Sequence, residues 1–435
     1  MIHVLIIEDE PAIARGLSLL ITKNYPDFQV LGICKNGRDG LQKILEQKPE
    51  LVFTDITMPV MNGLDMIEEV QKSQFHTRFV ILTGYADFEY ARKAIHLGVS
   101  DYLLKPIDLK TLDDILLSCL ELQKSETRLL QKEYLQCALH SDNLTDPAPV
   151  FMNEVSCSFI FVFQGPLRSN IYSETIPDSV FAPVSPGYLT QLEKEYQVSL
   201  FLLHGKHFNE QVYAVIYPSS SQPDTEGLAR RIHSILDISD QQPDSWINTV
   251  LSLQSPDAGS VSDLIKDTYL FALFKNRFGA SSFQTCTTLS DQKIRVSQDV
   301  QQLCAGISSH SDQESLYHMI HSLITIQNQP NLSQFQITAN LRYYISTVIQ
   351  NCHKDIIYPD VAEIVSTCHS YEELERELQY ETSKICGFHK TTPGEELPSL
   401  ARQVRNYLDK NFTQQITTKS FQDIFGYNEK YISTL

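Results

Sequence analysis

The chain has 435 residues, of which 42% are hydrophobic and 20% are charged, and its formal net charge is −18 at pH 7. This composition is typical of a soluble globular protein, and the length corresponds to about three domains. The excess of acidic residues excludes a chain that binds nucleic acid along its whole length, because like charge repels phosphate. A small, locally basic DNA-reading module within an acidic protein remains compatible with this charge.

The cellular compartment is indicated by the start of the chain, by its hydropathy and by its cysteines. The chain starts without a basic leader segment, and its apolar runs stay short of the roughly 18 residues that a membrane span needs. The nine cysteines are scattered, and none belongs to a C-x-x-C pair. We therefore expect a cytoplasmic, reduced chain without a membrane partner, a disulfide framework or a zinc site.

Residues 1–122 alternate short apolar strands with amphipathic helices. The predicted strands are His3–Ile7, Gln29–Cys34, Leu51–Thr54, Arg78–Thr83 and Asp101–Leu104. The predicted helices are Pro11–Asn24, Gly37–Gln47, Gly63–Gln71 and Phe88–Leu97. Five such repeats predict an α/β fold, a doubly wound five-stranded parallel sheet with helices on both faces. Reactive groups in such a sheet gather at the carboxyl ends of the strands.

Three carboxylates lie at those ends. Glu8 and Asp9 follow the first predicted strand, and Asp55 follows the third. Because the ends of these strands are neighbours, the carboxylates are crowded, and crowded like charges are not all ionised unless a cation lies among them. Oxygen ligands with room for water suit Mg²⁺. Such a pocket can transfer a phosphoryl group onto a carboxylate.

Two further side chains follow the fourth and fifth strands. Thr83 offers a hydroxyl and Lys105 offers an ammonium. Asp55 is the natural acceptor, because it heads a loop (residues 58–63) that leaves its carboxylate open to a donor. We expect Thr83 and Lys105 to bind the oxygens of a phosphoryl group on Asp55.

With these motifs, residues 1–122 resemble the response-regulator receiver domain of two-component signalling. The resemblance implies that Glu8 and Asp9 are the acidic pair, that Asp55 accepts the phosphoryl group and that Thr57 gives a backbone carbonyl to the metal. It also implies a sensor histidine kinase as the phosphoryl donor. A receiver of this kind is a signalling phosphoacceptor rather than an enzyme, although it can catalyse its own phosphotransfer and dephosphorylation.

The family resemblance also implies a switch. Thr83 matches the switch hydroxyl, Tyr102 the switch aromatic and Lys105 the phosphate-sensing lysine, which a proline follows. Phosphorylation would draw Thr83 inward and Tyr102 into the vacated space, which changes a surface that commonly forms a homodimer.

After the receiver, the pattern becomes a long helix and then an α+β region. Residues 112–140 predict a connecting helix that overlaps the last receiver helix, and it is either a spacer or the seam of a coiled-coil dimer. Residues 150–290 predict an α+β middle domain, whose strand Ile247–Leu253 and helix Val261–Phe278 resemble the tail of a diguanylate-cyclase-type domain. The hairpin His204–Gln211 lacks the acidic pair of that family. The resemblance therefore implies a degenerate spacer or protein-contact module, and it argues against a cyclase.

Residues 296–390 carry helical patterns only. His318 and His321 lie one turn apart within this region. We do not favour a metal pair there, because the sequence pattern shows no cysteine or acidic partner beside them. Residues 391–398 have the composition of a linker.

Residues 398–435 predict a helix, a glycine-centred turn and a second helix, and they contain five basic and three acidic residues. This segment is similar to the beginning of an AraC-type DNA-binding domain, with matches at Ile416, Phe421, Gly426, Tyr431, Ile432 and Leu435 and departures at Thr418 and Gln422. That family uses two helix-turn-helix units, and this sequence stops inside the first recognition helix. We therefore expect an incomplete module. Promoter DNA is then a partner of the intact protein, and this chain binds it weakly or not at all.

Together these features predict a phosphorylation-controlled response regulator that regulates transcription through an AraC-type domain. The alternative is a phosphorylation-responsive protein-interaction module without DNA binding. The sequence identifies neither the kinase nor the target genes.

Overall fold

The computed structural model describes residues 1–388 apart from 74, 76, 85–91, 95, 142–148, 150–151, 153–154, 168–183, 208, 240–244, 255–260, 288–294, 309, 330–331 and 353–357. The chain divides into two compact units, Met1–Leu129 and Leu130–Leu435. The five-part division predicted above is a finer one and stays a prediction. The partial helix-turn-helix predicted at residues 398–435 lies outside the described residues.

The first unit is built on a five-stranded parallel sheet. Its strands are β1 (Ile2–Ile7), β2 (Phe28–Cys34), β3 (Leu51–Asp55), β4 (Arg78–Thr83) and β5 (Asp101–Leu104). Its helices are α1 (Pro11–Asn24), α2 (Gly37–Gln47), α3 (Gly63–Gln71) and the first part of α4 (Leu109–His140). The strand order is β2-β1-β3-β4-β5, and every pair is parallel. The predicted doubly wound sheet is confirmed, whereas half of the predicted helix Phe88–Leu97 falls on residues that are not described.

Both faces of this sheet are buried, as its hydrophobic strands predicted. Along β1, Val4 and Ile6 join the apolar cluster on one face, whereas Leu5 and Ile7 join the cluster on the other. The register places the strand ends side by side, since Ile7 lies opposite Thr54 and Asp55 lies opposite Leu82. The residues that follow β1, β3 and β4 therefore meet at one edge.

The second unit contains another five-stranded sheet with flanking helices. Its first elements are β6 (Val155–Gln164), α5 (Pro186–Tyr196), β7 (Ser199–His204), β8 (Glu210–Pro218), α6 (Thr225–Leu236), β9 (Ile247–Leu251), α7 (Val261–Lys275) and β10 (Ser282–Thr285). The strand order is β10-β9-β6-β8-β7, with β6 antiparallel to both of its neighbours. This arrangement contains a split β-α-β-β-α-β motif. The α+β prediction is confirmed, while the diguanylate-cyclase resemblance stays a prediction.

Two element ends in this region were predicted wrongly. The strand predicted as Ile247–Leu253 ends at Leu251, and the helix predicted as Val261–Phe278 ends at Lys275. The helix stops because the Asn248 side chain binds the backbone of Arg277, accepting from its N–H at 3.0 Å and donating to its carbonyl at 2.8 Å. A helix cannot continue through a residue whose backbone groups are bonded elsewhere.

The described part of the second unit contains five further helices: α8 (Gln298–Cys304), α9 (Gln313–Gln327), α10 (Gln334–Cys352), α11 (Val361–Thr367) and α12 (Tyr371–Cys386). Their apolar faces form a cluster that includes Trp246, which immediately precedes β9. The indole N–H of Trp246 donates to the carbonyl of His369 at 3.3 Å. Within the described residues, no helix is both long enough and apolar enough to cross a membrane.

One buried acidic residue lies inside the second unit, at the start of β8. Oε2 of Glu210 accepts hydrogen bonds from the backbone N–H groups of Lys206 and His207, at 2.9 and 3.3 Å, and from the Tyr269 hydroxyl at 2.9 Å. Burial raises the pKa of Glu210 to about 7, although these hydrogen bonds oppose the shift. The folded state therefore favours the protonated carboxyl between the ordinary value of 4.5 and about 7.

We predict that Glu210 makes the second unit less stable as the pH rises. Its contribution is fully present below pH 4.5 and is lost as the pH rises through about 7, a change of about 3 kcal/mol. Glu210→Gln cannot ionise, so the stability of the wild type relative to this variant should fall over that range. Urea unfolding of the full chain, followed through the fluorescence of its single tryptophan, Trp246, measures the difference.

The control is Glu195→Gln, which changes an exposed carboxylate in the same unit. Its stability should follow that of the wild type at every pH. If Glu210→Gln also ran parallel to the wild type from pH 4.5 to 8, Glu210 would not be the titrating group.

Candidate functional site

The carboxyl edge of the first sheet brings three acidic side chains together. Glu8 and Asp9 follow β1, and Asp55 ends β3, the strand that pairs with β1. One carboxylate oxygen from each of these residues lies within 4.8 Å of the others. Glu8 is fully buried, whereas Asp9 and Asp55 are partly exposed. The predicted acidic pocket is therefore present, with Asp55 reachable from solvent.

Lys105 supplies the positive charge of this pocket. It directly follows β5, and its Nζ lies 2.6 Å from Oδ2 of Asp55 and 2.7 Å from Oε2 of Glu8. A third carboxylate, that of the exposed Glu10, lies 4.0 Å away. The Lys105–Pro106 peptide bond is cis. The ammonium thus bridges the ends of β1 and β3, although Lys105 follows β5, which is two strands away from β3 in the sheet.

The protonation of this cluster follows from burial and from these contacts. Burial raises the pKa of Glu8, and the negative charge of Asp55 adds to the shift, while Lys105 opposes it. Burial alone would lower the pKa of Lys105, but the hydrogen bonds to Asp55 and Glu8 outweigh it, and the pKa is raised. Lys105 is therefore held in its charged form beside the two carboxylates.

The loop after β3 holds the second oxygen of Asp55. The backbone N–H of Thr57 donates to Oδ1 of Asp55 at 3.2 Å, a contact that sequence reasoning missed. Gly63 closes the loop, because its N–H donates to the carbonyl of Ile56 at 2.9 Å. A Cβ atom at position 63 would lie 2.1 Å from the carbonyl oxygen of Asp55, so only glycine fits there. An Asn-Gly pair directly before a predicted helix was the sequence signal for this turn.

The two predicted switch residues lie on the neighbouring strands. Thr83 ends β4 and is 9% exposed, and its carbonyl accepts a hydrogen bond from the Lys105 N–H at 2.8 Å. Tyr102 lies in β5 opposite Ile81, two residues before Thr83. Burial raises the pKa of the Tyr102 phenol. The structure thus places Thr83 beside the pocket and Tyr102 deeper along the sheet, and their switching roles stay predictions.

The donor set fits a small, hard cation. Glu8, Asp9 and Asp55 offer carboxylate oxygens only, the ligands that Mg²⁺ prefers, and the partial exposure of Asp9 and Asp55 leaves room for water. The ammonium of Lys105 contacts the carboxylates of Glu8 and Asp55, and the third carboxylate, that of Asp9, lies beside them. The pocket can therefore take a further positive charge.

Comparison with known proteins gives the class of this unit. Residues 4–117 match the family model described as the response regulator receiver domain. This part of the chain is therefore the receiver domain of a two-component response regulator, as the sequence motifs predicted.

Two of the curated relatives are named as transcriptional regulatory proteins. The transcriptional regulatory protein HptR of Staphylococcus aureus is 39% identical over 116 residues, which cover 27% of this chain and 45% of HptR. The uncharacterized transcriptional regulatory protein YesN of Bacillus subtilis is 32% identical over 139 residues, which cover 31% of this chain and 38% of YesN. The matched segment thus spans less than half the length of either relative.

A solved structure is also similar to part of this chain. The REC domain of AraT, a response regulator from Geobacillus stearothermophilus, shares 32% identity, covers 29% of this chain and 97% of that chain, and gives a TM-score of 0.28.

We predict that Lys105→Met destabilises the first unit when no metal is added. The variant leaves the carboxylates of Glu8 and Asp55 without the ammonium, and removing one partner of a buried ion pair costs on the order of 3 kcal/mol. Calorimetry of the full chain measures the loss, and amide hydrogen exchange in Leu51–Asp55 assigns it to this unit. Adding Mg²⁺ should return part of the lost stability.

Lys72→Met is the matched control, because Lys72 forms an exposed pair with Glu69 at 2.7 Å, and solvent screens such a surface pair. Equal effects of the two substitutions would contradict the role of Lys105 as the counterion of the pocket.

Proposed function

We propose that the receiver domain is a phosphorylation-controlled switch in which Asp55 accepts a phosphoryl group from a sensor histidine kinase. The observation that carries this proposal is the position of the Asp55 carboxylate. It is open to solvent on one side, it lies within 4.8 Å of two further carboxylates, and it contacts an ammonium at 2.6 Å. A carboxylate in this setting can act as a nucleophile whose product is stabilised by positive charge.

In the proposed reaction an Asp55 oxygen attacks the phosphorus of a phosphohistidine. The new P–O bond forms an acyl phosphate, the P–N bond of the donor breaks, and its electron pair stays on the histidine ring. Glu8, Asp9, Asp55 and the backbone carbonyl of Thr57 would hold Mg²⁺, and the bound cation would neutralise charge on the phosphoryl oxygens. Lys105 lies close enough to Asp55 to bind an oxygen of the product.

The response to phosphorylation belongs to the same proposal. The Thr83 hydroxyl binds the phosphoryl group, Tyr102 follows it inward, and the surface around β5 changes so that two receivers associate. Such a change is a shift between two populated states of the domain. The support for it is the placement of Thr83 and Tyr102 on adjacent strands.

We predict that Asp55→Asn abolishes phosphorylation by acetyl phosphate in the presence of Mg²⁺. The amide cannot form an acyl phosphate, whereas the wild type should gain one phosphoryl group that hydroxylamine removes. Intact-mass spectrometry measures the incorporation. Asp114→Asn, an exposed carboxylate of the same domain, is the control and should be phosphorylated like the wild type.

Phosphoryl incorporation that persisted in Asp55→Asn would show that Asp55 is not the acceptor. Removal of Mg²⁺ by a chelator should slow the wild-type reaction, and an unchanged rate would argue against the metal.

For the intact protein, we propose transcription control through an AraC-type domain that begins in residues 398–435. The support is the local excess of basic over acidic residues and the names of the relatives. The alternative, a protein-interaction output, draws on the large folded second unit that follows the receiver. Selection of random DNA duplexes by the phosphorylated full-length protein, at two salt concentrations, separates them. Salt-sensitive enrichment of particular DNA sequences supports transcription control, and no enrichment supports the protein-interaction output.

A further inference from the structure

A second polar cavity lies far along the chain from the receiver motifs, between α9 and α12 of the second unit. Its volume is about 450 Å³, and its lining includes Glu314, His318 and His321 from α9 and Glu375 and Gln379 from α12. Sequence reasoning set aside His318 and His321 because no acidic partner was visible beside them. The structure supplies such a partner, Glu375, which is 54 residues away from His321 in the chain.

The contact between the two helices has the spacing of two metal ligands. Nδ1 of His321 lies 3.1 Å from Oε1 of Glu375. Two ligand atoms on one tetrahedral Zn²⁺, with bonds of about 2.0–2.1 Å, lie roughly 3.3 Å apart. A small adjustment of either side chain would therefore allow both atoms to share one ion. Nε2 of Gln379 lies 3.4 Å from the same oxygen and restrains the carboxylate.

His318 lies one turn before His321 on α9. The ligand atoms of His318, His321 and Glu375 are not all within 4.8 Å of one another, so His318 must turn to become a third ligand. Residues three apart on a helix have Cβ atoms about 5–6 Å apart on one face, so two imidazoles at this spacing can reach a common ion. His318 and His321 are both exposed, and His321 keeps 70% of its side-chain surface accessible. They can therefore turn toward an ion without disturbing the buried face of α9, which packs through Leu316 and Ile320.

We propose that His318, His321 and Glu375 form a binding site for a divalent transition-metal cation, with Zn²⁺ as the reference ion. Two imidazole nitrogens and one carboxylate favour Zn²⁺, Ni²⁺ or Cu²⁺ over Mg²⁺, so the site differs in ligand chemistry from the all-carboxylate pocket of the receiver. Water completes the coordination, because the cavity is open to solvent at both histidines. An ion bound here links α9 to α12 and stabilises the folded second unit by mass action.

The test uses the full chain without a polyhistidine tag, stripped of metal and kept reduced. Excess Mg²⁺ occupies the receiver carboxylates, and Zn²⁺ is added at pH 7.5 in competition with a fluorescent chelator. We expect one Zn²⁺ equivalent per chain, and we expect His318→Ala and His321→Ala to weaken it by at least about tenfold. His310→Ala, which removes an exposed histidine of the same unit outside the cavity, should bind as the wild type does.

Two readouts show that the variants report on binding rather than on folding. Without Zn²⁺, the unfolding transition of Trp246 should be the same in the wild type and in all three variants. With Zn²⁺, it should move to higher denaturant only in the wild type and in His310→Ala. Glu375→Gln should also lose this shift, since the amide keeps a hydrogen bond to His321 but lacks the negative charge.

A measurement on the unsubstituted chain keeps the proposal testable if a variant fails to fold. Zn²⁺ should protect His318 and His321, but not His310, from diethyl pyrocarbonate, as mapped by peptide mass spectrometry. Equal modification with and without Zn²⁺, or Zn²⁺ affinities of His318→Ala and His321→Ala equal to that of the wild type, would show that His321 and Glu375 form only a surface ion pair.

Discussion

The receiver unit depends on one electrostatic constraint: three carboxylates occupy one edge of the sheet and need a positive charge among them. Lys105 meets this requirement through contacts of 2.6 and 2.7 Å with Asp55 and Glu8. Its position is fixed because β5 ends at the same edge as β1 and β3. The turn after Asp55 depends on the glycine at position 63, since a Cβ atom there would lie 2.1 Å from the carbonyl oxygen of Asp55. A cation or a phosphoryl group that enters this pocket must therefore rearrange the contacts of Lys105.

The second unit also buries a carboxyl group, that of Glu210, but it surrounds this group with hydrogen-bond donors. Glu210 has three hydrogen-bond donors on a single oxygen, two of them from the backbone of the preceding turn. No Lys or Arg ion pair with Glu210 occurs among the described residues, and the cost of desolvation is met by a raised pKa instead. Glu8 shares the raised pKa but keeps an ammonium partner. In the receiver, the ammonium of Lys105 opposes the rise in the pKa of Glu8, whereas burial raises the pKa of Glu210 to about 7 despite its hydrogen bonds and favours its neutral form.

Prediction from the sequence succeeded for the elements whose bounds are set by residues within the element or directly beside it. The strands β4 and β5 and the helices α1 to α3 have the predicted bounds, because their apolar periodicity and flanking residues are contained in the segment itself. The receiver pocket was also predictable, since the strand-end rule brings Glu8, Asp9 and Asp55 together once the parallel sheet is recognised. The end of α7 was not predictable, because the Asn248 side chain that binds Arg277 lies 29 residues away.

The sequence by itself therefore determined the class of the first unit and the acidic residues that meet at the edge of its sheet, because hydrophobic period and strand-end position are local properties. Only the tertiary structure decided which charges touch. It placed the Lys105 ammonium between Asp55 and Glu8, and it brought Glu375 to His321 across 54 residues. Contacts of this kind depend on helix packing and strand register, which set distances of a few ångströms that no local pattern encodes.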